Sequence, residues 1–257
     1  LDLPVSRLGE TPAEAPSVAA AGPRATPRRA AGLLVADLSS MWAGPLCGQL
    51  LTAAGATVVK VESPSRPDGT RSGDRHFYDW VNHGKLSYTV EFDDPRLRAL
   101  LSVADVVIEG SRPAALARRR LGPHTLPGPP GRVWLRVTGY GPDSPRVAFG
   151  DDAAVAGGLV GDGPVFCADA IADPLTGLEA ALAVVDSLQR GGGEVIDVAL
   201  ATVAACYAAL PAEPTEPGAP VEARAPQPPP TAPPASAPGA DNAAVGALVN
   251  QRRSVPC

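Results

Sequence analysis

Short apolar runs alternate with helical patterns through the middle of the chain, and this alternation restricts the fold more than any other feature. Apolar runs rich in β-branched residues occupy residues 33–38, 57–62, 105–109, 133–137 and 194–198. Helical patterns lie between them, at residues 95–101 and 178–188 most clearly. Strands that alternate with helices form parallel βαβ units. The sequence therefore predicts an α/β fold with a Rossmann-like, doubly wound and mostly parallel sheet, which binds ligands beyond the carboxyl ends of its strands.

Composition divides the chain into three parts. Residues 1–30 are rich in Ala, Pro and Arg without a sustained period, so we expect a flexible linker there. Residues 31–210 carry the strand and helix patterns and form the predicted folded domain. Residues 211–257 are rich in proline, which excludes helix and sheet interiors, so this tail is predicted to be mostly disordered. A short helix is expected within it, at residues 242–250.

Charge and cysteine usage exclude several classes of function. The 257 residues carry a formal net charge of -5, which argues against a general nucleic-acid binder. The four cysteines and three histidines are widely spaced, so no metal site is expected. No run of about 20 apolar residues suggests a membrane span, and a cytoplasmic location is the simplest expectation. Because the chain begins at Leu1 rather than Met, we expect either a processed product or a fragment of a longer protein.

The turn after the first predicted strand can approach an anion closely. Gly44 and Gly48 carry no side chain there, and the helix that follows presents free N–H groups. An ordinary tight turn between strand and helix explains the same residues equally well. Glu62 ends the second strand, where a dinucleotide-binding fold places its ribose acid. No G-x-G-x-x-G motif is present, so a nicotinamide-dependent oxidoreductase is disfavoured.

Five segments resemble, in the same order, motifs of the class III CoA-transferase family, which includes formyl-CoA and carnitine CoA-transferases and the α-methylacyl-CoA racemases. The opening motif is similar to residues 37–47, and "G-A-x-V-I-K-V-E" is similar to residues 55–62. The motifs "N-x-G-K", "A-D-V-V-I-E-N-F-R-P-G-x-L-x-R" and "S-G-F-G" resemble residues 82–85, 105–118 and 138–141. Each piece is weak alone. Together they indicate membership of this family.

The resemblance implies that coenzyme A or an acyl-CoA binds as a substrate, with no covalently bound cofactor. The residues that it assigns to CoA binding are Met41, Trp42, Ala43, Arg66, Arg71, Glu109, Arg112 and Arg118. Arginine suits the phosphates of CoA because its planar guanidinium donates two hydrogen bonds at once. One departure is Gly110, which stands where the family has the Asn of "E-N-F" and so cannot make that polar contact.

The resemblance also supplies the catalytic residue. Residues 173–177 match the family's "D-x-x-T/S-G" frame, in which the Asp is the nucleophile, so Asp173 is the predicted nucleophile. Asp169 is the main competitor. The residues themselves predict a helix N-cap at Asp173, with Pro174 at the first helical position. A capping position is expected to lower the carboxyl pKa and keep the group ionised.

Together these features predict an acyl-CoA:carboxylate CoA-transferase that works through an aspartyl-CoA thioester. Racemisation is disfavoured, because the family's "G-H-D" frame reads Gly150-Asp151-Asp152 here and lacks the histidine. Asp151 and Asp152 could still act in chemistry, although a solvated turn is the simpler reading.

We expect the family's small second domain to be missing after the helix near Cys206, where the Pro-rich tail begins. A non-catalytic CoA-binding subunit or a degenerate family member is therefore the alternative to the transferase. Because family members are interlocked dimers, the resemblance implies a homodimer or a hetero-complex that acts on acyl-CoA and carboxylate substrates, with no nucleic acid and no membrane partner.

Overall fold

The apolar runs predicted as strands all lie in one mixed sheet of the computed structural model, which describes residues 3–110, 116–211 and 232–254. The strands are β1 Ser17–Ala20, β2 Leu34–Asp37, β3 Thr57–Glu62, β4 Leu86–Thr89, β5 Val106–Glu109, β6 Val133–Thr138, β7 Val160–Gly161, β8 Val165–Phe166 and β9 Glu194–Ala199. The helices are α1 Ala43–Ala53, α2 Arg75–Asn82, α3 Pro95–Val103, α4 Gly150–Gly157, α5 Ala172–Gln189, α6 Leu200–Ala208 and α7 Asn242–Ser254.

The main sheet has the order β1-β9-β6-β5-β2-β3-β4, and all its neighbouring strands are parallel except the antiparallel pair β1 and β9. Apolar side chains point alternately to its two faces: Val35 lies in one buried core, and Leu34 and Ala36 lie in the other. Helices α1, α4, α5 and α6 cover the first face, and α3 and α7 cover the second. The predicted doubly wound, mostly parallel α/β fold is confirmed.

The expectation of a flexible linker over residues 1–30 is wrong for part of that range. Ser17–Ala20 forms the edge strand β1, paired with residues 194–197 of β9. Closer to the start of the chain, Gly9 and Thr11 donate backbone hydrogen bonds to the carbonyls of Val155 and Ala156 in α4. All four residues of β1 are exposed, so the strand has no buried apolar face. Its sequence therefore lacks the apolar pattern by which a strand is predicted.

The expectation of a mostly disordered tail is wrong for residues 232–254. The predicted helix is confirmed as α7, and Val245 and Val249 are buried beside α3. At the start of the helix, the backbone N–H groups of Ser87 and Thr89 in β4 donate to the side chains of Asp241 and Asn242, at 2.7 and 2.9 Å. The tail thus satisfies polar groups on the otherwise open edge of the sheet.

Several elements carried no clear sequence signal, namely α2, α4, β4 and the β7–β8 hairpin. A 3-10 turn is present at Ala117–Arg119. Within the described part of the chain, no helix has the length and apolar character needed to cross a bilayer.

Candidate functional site

Three helix N-termini converge on the carboxylate of Asp173. The side chain lies in the first turn of α5 and is half-buried. The backbone N–H groups of Ala43 and Gly150, the first residues of α1 and α4, lie beside the carboxylate and favour its ionised form. The N-terminus of a helix carries unpaired N–H groups and a partial positive charge. The arrangement therefore favours a negative charge at this point.

Asp173 does not occupy the predicted N-cap. The cap position is Ile171, and α5 begins at Ala172, so Asp173 is the second helical residue. Pro174 is the third and is tolerated because the N–H groups of the first turn need no partner inside the helix. The predicted start of the helix was therefore two residues late.

The expected lowering of the Asp173 pKa is also wrong. The pKa is raised from an ordinary value of 3.8 to about 6, mainly by burial and to a smaller extent by the nearby carboxylates of Asp151 and Asp152. The N–H groups of Gly150 and Ala43 act in the opposite direction but do not overcome the cost of desolvation. Asp173 is consequently ionised at neutral pH and is a stronger base than an exposed aspartate.

Glycine allows these elements to approach each other. A Cβ atom on Gly150 would lie 2.6 Å from Oδ2 of Asp173 and would collide with the carbonyl of Ala170. On α5, a Cβ atom on Gly177 would lie 2.8 Å from the carbonyl oxygen of Ala43. The predicted frame residue Gly177 thus permits close packing of α5 against α1, and Gly150 permits the N–H contact to the carboxylate.

The turn between β2 and α1 contains Met41, Trp42 and Ala43, which were predicted to bind CoA. Met41 is exposed and has a left-handed backbone with φ of 73°. Its N–H group faces the carboxylate of Asp68, with N···Oδ distances of 3.2 and 3.3 Å. Ala43 contacts Asp173 through its own N–H group. The structure therefore brings this turn and Asp173 together.

Trp42 is part of an aromatic cluster beside the same turn. Its ring contacts Phe77 and Trp80 edge-to-face, with centroids 5.0 and 6.4 Å away. The Nε1 atom of Trp42 is buried and has no hydrogen-bond partner in the described structure. All three rings are partly exposed, so they form an apolar wall next to α1.

The two lysines of the chain are buried beneath this turn. Lys60 donates to the carbonyl of Ser39 and pairs with Asp68 at 2.7 Å. Lys85 pairs with Asp37 at 2.9 Å and also donates to the carbonyl of Pro45 and to Asn82 Oδ1. These buried pairs hold the turn in place. Sequence analysis missed their role, although the scarcity of lysine could have drawn attention to them.

The predicted arginines differ in their surroundings. Arg71 is held by Glu62, with Nε 2.8 Å from Oε1, and its guanidinium stacks on Tyr78 at 4.4 Å. Arg66 and Arg118 are exposed, and within the described residues neither guanidinium has an ion-pair partner. Arg112 lies outside the described residues. The structure therefore leaves two of the predicted arginines accessible to a ligand and uses Arg71 in an internal ion pair.

The predicted carboxylates other than Asp173 have structural partners or lie on the surface. Glu109 is buried and accepts a hydrogen bond from Trp134 Nε1 at 2.9 Å. Asp152 accepts from the N–H group of Phe149 at 2.6 Å, and Asp151 accepts from the N–H group of Ala170 at 2.8 Å. The solvated turn expected at Asp151 and Asp152 is instead the first turn of α4. Asp169, the competing nucleophile, is exposed.

The fold and this site define a doubly wound α/β protein that presents one partly buried carboxylate to converging helix N-termini. The model of CoA-transferase family III matches residues 31–240. The chain therefore belongs to CoA-transferase family III, in agreement with the resemblance of its motifs. The predicted family is confirmed.

Two curated relatives and one solved structure illustrate the similarity. Succinyl-CoA–D-citramalate CoA-transferase of Chloroflexus aurantiacus is 31% identical over 199 residues, 68% of this chain and 50% of the relative. Succinate–glutarate CoA-transferase of Agrobacterium fabrum is 30% identical over 203 residues, 67% of this chain and 51% of the relative. A CAIB/BAIF family protein from Brucella suis superposes with a TM-score of 0.62 at 28% identity, covering 72% of this chain and 56% of that one. The chain thus spans about half the length of these curated relatives.

Proposed function

We propose that this chain moves CoA between an acyl-CoA and a carboxylic acid, with Asp173 as the nucleophile and residues 31–210 as the CoA-binding domain. The observation that carries the proposal is the Asp173 carboxylate held between the N–H groups of Ala43 and Gly150. The names of the two curated relatives, both CoA-transferases, support the same reaction class. A carboxylate that is desolvated yet ionised at neutral pH is suited to attack a thioester carbonyl.

In the proposed mechanism, the Asp173 carboxylate attacks the thioester carbonyl of the donor and expels the CoA thiolate, which gives an acyl-aspartyl anhydride. The thiolate then attacks the aspartyl carbonyl and releases the donor acid, leaving an aspartyl-CoA thioester. The acceptor carboxylate expels CoA again to form a second anhydride. Attack of CoA on its acyl carbonyl yields the new acyl-CoA and regenerates Asp173.

Each of these steps passes through a tetrahedral intermediate with a negative oxygen. The N–H groups of Ala43 and Gly150 lie beside the Asp173 carboxyl, so they are placed to stabilise that charge when it forms on the carbonyl oxygen of the aspartyl group. Because they belong to rigid helix N-termini, no reorganisation is needed during the reaction. Every step is an acyl transfer between a carboxylate and the CoA thiolate. The reaction therefore needs no oxidant, reductant or other reactant.

Binding of CoA is proposed to involve the β2–α1 turn, at Met41, Trp42 and Ala43, with Glu109 and Arg71 shaping the neighbouring loops. Arg66, Arg112 and Arg118 are the proposed phosphate ligands. The exposed positions of Arg66 and Arg118 support this assignment. The partly exposed aromatic wall at Trp42 is proposed to contact an apolar part of CoA or of the acyl group.

Replacing Arg118 with alanine is expected to weaken binding of CoA by about tenfold or more, because a charge-assisted hydrogen bond contributes roughly 1.5–3 kcal/mol. Pantetheine, which has no phosphate, should bind equally to both proteins. Isothermal titration calorimetry with the two ligands measures the difference. The matched control is Arg253→Ala in α7, an exposed arginine whose loss should leave both affinities unchanged. An equal loss for pantetheine would show that Arg118 acts through the fold.

The reaction itself is tested with a panel of acyl-CoA thioesters and isotopically labelled acids, followed by detection of label in new thioesters. Transfer of CoA to at least one acid supports the proposal. Binding of CoA without any exchange would favour the second candidate, a non-catalytic CoA-binding subunit, for which the half-length match to the curated relatives is the specific observation.

The proposed assembly is a homodimer or a hetero-complex, as the family resemblance implies. Light scattering on the same preparation used for the transfer assay measures the molar mass. We expect a dimer, or a monomer that turns over poorly until a partner chain is added. A monomer with ordinary turnover would contradict this proposal.

A further inference from the structure

A strained residue stands just before the helix that carries Asp173. Ala170 precedes the first residue of α5 by two positions and has a φ of 46°. A residue with a Cβ atom meets steric hindrance in this left-handed region and remains there only when its surroundings hold it. The hydrogen bonds of Ala170 should therefore show what determines the start of α5.

Ala170 is fixed on both sides of its peptide unit. Its N–H group donates to Oδ1 of Asp151 at 2.8 Å, and its carbonyl oxygen accepts from the N–H group of Asp173 at 2.9 Å. Asp151 lies in the first turn of α4, directly after Gly150, whose own N–H group contacts the Asp173 carboxylate. The side chain of Asp151 thus ties the N-terminus of α4 to the backbone that leads into Asp173.

The same arrangement is present before α1, one of the two other helices that contact the nucleophile. Met41 has a φ of 73°, precedes the first residue of α1 by two positions, and donates its N–H group to the carboxylate of Asp68. Among the described residues, one further non-glycine residue has a left-handed backbone, Arg120, and it ends a 3-10 turn with no carboxylate on its N–H group. Among the described residues of this kind, a carboxylate therefore holds the N–H group only at the two that precede α1 and α5, which are two of the three helices that meet at Asp173.

We propose that Asp151 is a positioning residue for Asp173: its carboxylate braces the left-handed backbone of Ala170 and so fixes where the nucleophile lies relative to the N–H groups of Ala43 and Gly150. This role rests on the proposed function of Asp173. The brace acts through hydrogen bonding to the backbone, and Asp151 itself does not contact substrate in the reaction.

The charge of Asp151 has a second effect, on the pKa of Asp173, which can be measured separately from its hydrogen bond to Ala170. Asp151 and Asp152 on α4 are the charged groups that raise the pKa of Asp173 through space. Helices α1 and α6, which also pack against α5, contain no charged residue. On the strands below, Arg136 and Asp197 pair with each other. Removing the charge of Asp151 should therefore lower the pKa of Asp173, whether or not the brace is kept.

Three variants separate the brace from the charge. Asp151→Asn keeps a side-chain oxygen that can accept from Ala170 but removes the charge. Asp151→Ala removes both. The double variant Asp151→Ala with Ala170→Gly removes both but places glycine, which adopts left-handed backbone without steric cost, at the strained position. Ala170→Gly alone serves as the reference for the double variant.

Asp151→Ala is expected to lower kcat/KM by up to about a hundredfold, the loss that a misplacement of about 1 Å can cause. Asp151→Asn should retain most of the rate, with its pH profile moved to lower pH. Glycine at position 170 should restore most of the rate that Asp151→Ala loses. Full activity of Asp151→Ala, or no restoration by glycine, would overturn the brace.

Two measurements on the purified protein do not depend on turnover. Carboxyl ¹³C NMR should show a lower pKa of Asp173 in both Asp151 variants, and the Ala170 and Asp173 amides should exchange hydrogen faster in Asp151→Ala than in Asp151→Asn. If these differences occur but the unmodified chain transfers no CoA with any partner, the brace stands and the proposed function fails. If the chain transfers CoA and these differences are missing, the positioning role of Asp151 is wrong and the proposed function is unaffected.

Discussion

Replacing Asp173 with asparagine is expected to abolish CoA transfer and leave the fold intact. The amide has nearly the same size as the carboxyl and can occupy the same place beside the N–H groups of Ala43 and Gly150, but it cannot attack a thioester. The measurement is the transfer assay, combined with hydroxylamine trapping of the acyl-CoA-treated protein and mass spectrometry. The label should fall on Asp173.

The matched control for this variant is Asp169→Asn, four residues earlier and exposed, which should keep its activity. Labelling of Asp169, or full activity of Asp173→Asn, would contradict the assignment.

Although Asp173→Asn should abolish activity, we expect it to raise the stability of the fold at neutral pH. The pKa of Asp173 rises from 3.8 to about 6 on folding, so between these values the folded chain holds a proton that the unfolded chain has released. Stability from this group therefore falls as the pH rises through that window, and above about pH 6 the folded chain carries a desolvated charge. Asp173→Asn should melt at a higher temperature than the unmodified chain above pH 6, and this gain should shrink as the pH falls towards 3.8.

Replacing Lys85 with methionine is expected to destabilise the fold by about 3–5 kcal/mol, the cost of leaving one partner of a buried ion pair alone. Lys85 and Asp37 are 3% and 0% exposed, and Lys85 Nζ has three acceptors around it. Methionine fills similar volume, so the loss reports mainly on the unpaired Asp37. Urea denaturation at neutral pH measures the free energy of unfolding.

The matched control is Arg96→Met, which removes the cation from an exposed pair with Asp94. Solvent screens such pairs, so this variant should unfold close to the unmodified chain. The double variant Lys85→Met with Asp37→Leu should recover part of the loss, because no buried charge is then left unpaired. Equal effects of Lys85→Met and Arg96→Met would contradict the role assigned to the buried pair.

The strands of the parallel sheet could be predicted from sequence because buried parallel strands are continuous apolar runs, such as Val106–Glu109. Strand β1 could not, since all four of its residues are exposed and its place in the sheet depends on pairing with β9. The helix in the tail segment 232–254 was predicted, but the docking of this segment on the sheet was missed for a related reason. Its docking depends on polar contacts to β4 from Asp241 and Asn242, which local composition does not show.

For the candidate site, the motif at residues 173–177 led to Asp173, but the local pattern gave the wrong sign for its pKa. The argument from the helix cap considers only the helix that carries the residue, whereas the pKa of Asp173 depends on its burial among α1, α4 and α5. In the sequence, Gly150 was of interest only because the family's "G-H-D" frame has a histidine after this glycine, where the chain has Asp151. Its contact with Asp173 joins positions far apart in the chain, and only the folded structure shows it.

The burial of both lysines has a practical consequence for the whole chain. Lys60 and Lys85 are the only lysines in the sequence, and they are 1% and 3% exposed. Acetylation, ubiquitin attachment and amine-reactive dyes or crosslinkers all need an accessible ε-amino group, so the folded chain offers them no lysine side chain. Reaction at either lysine therefore requires the β2–α1 region to open. The rate of lysine acylation then measures how readily this region opens.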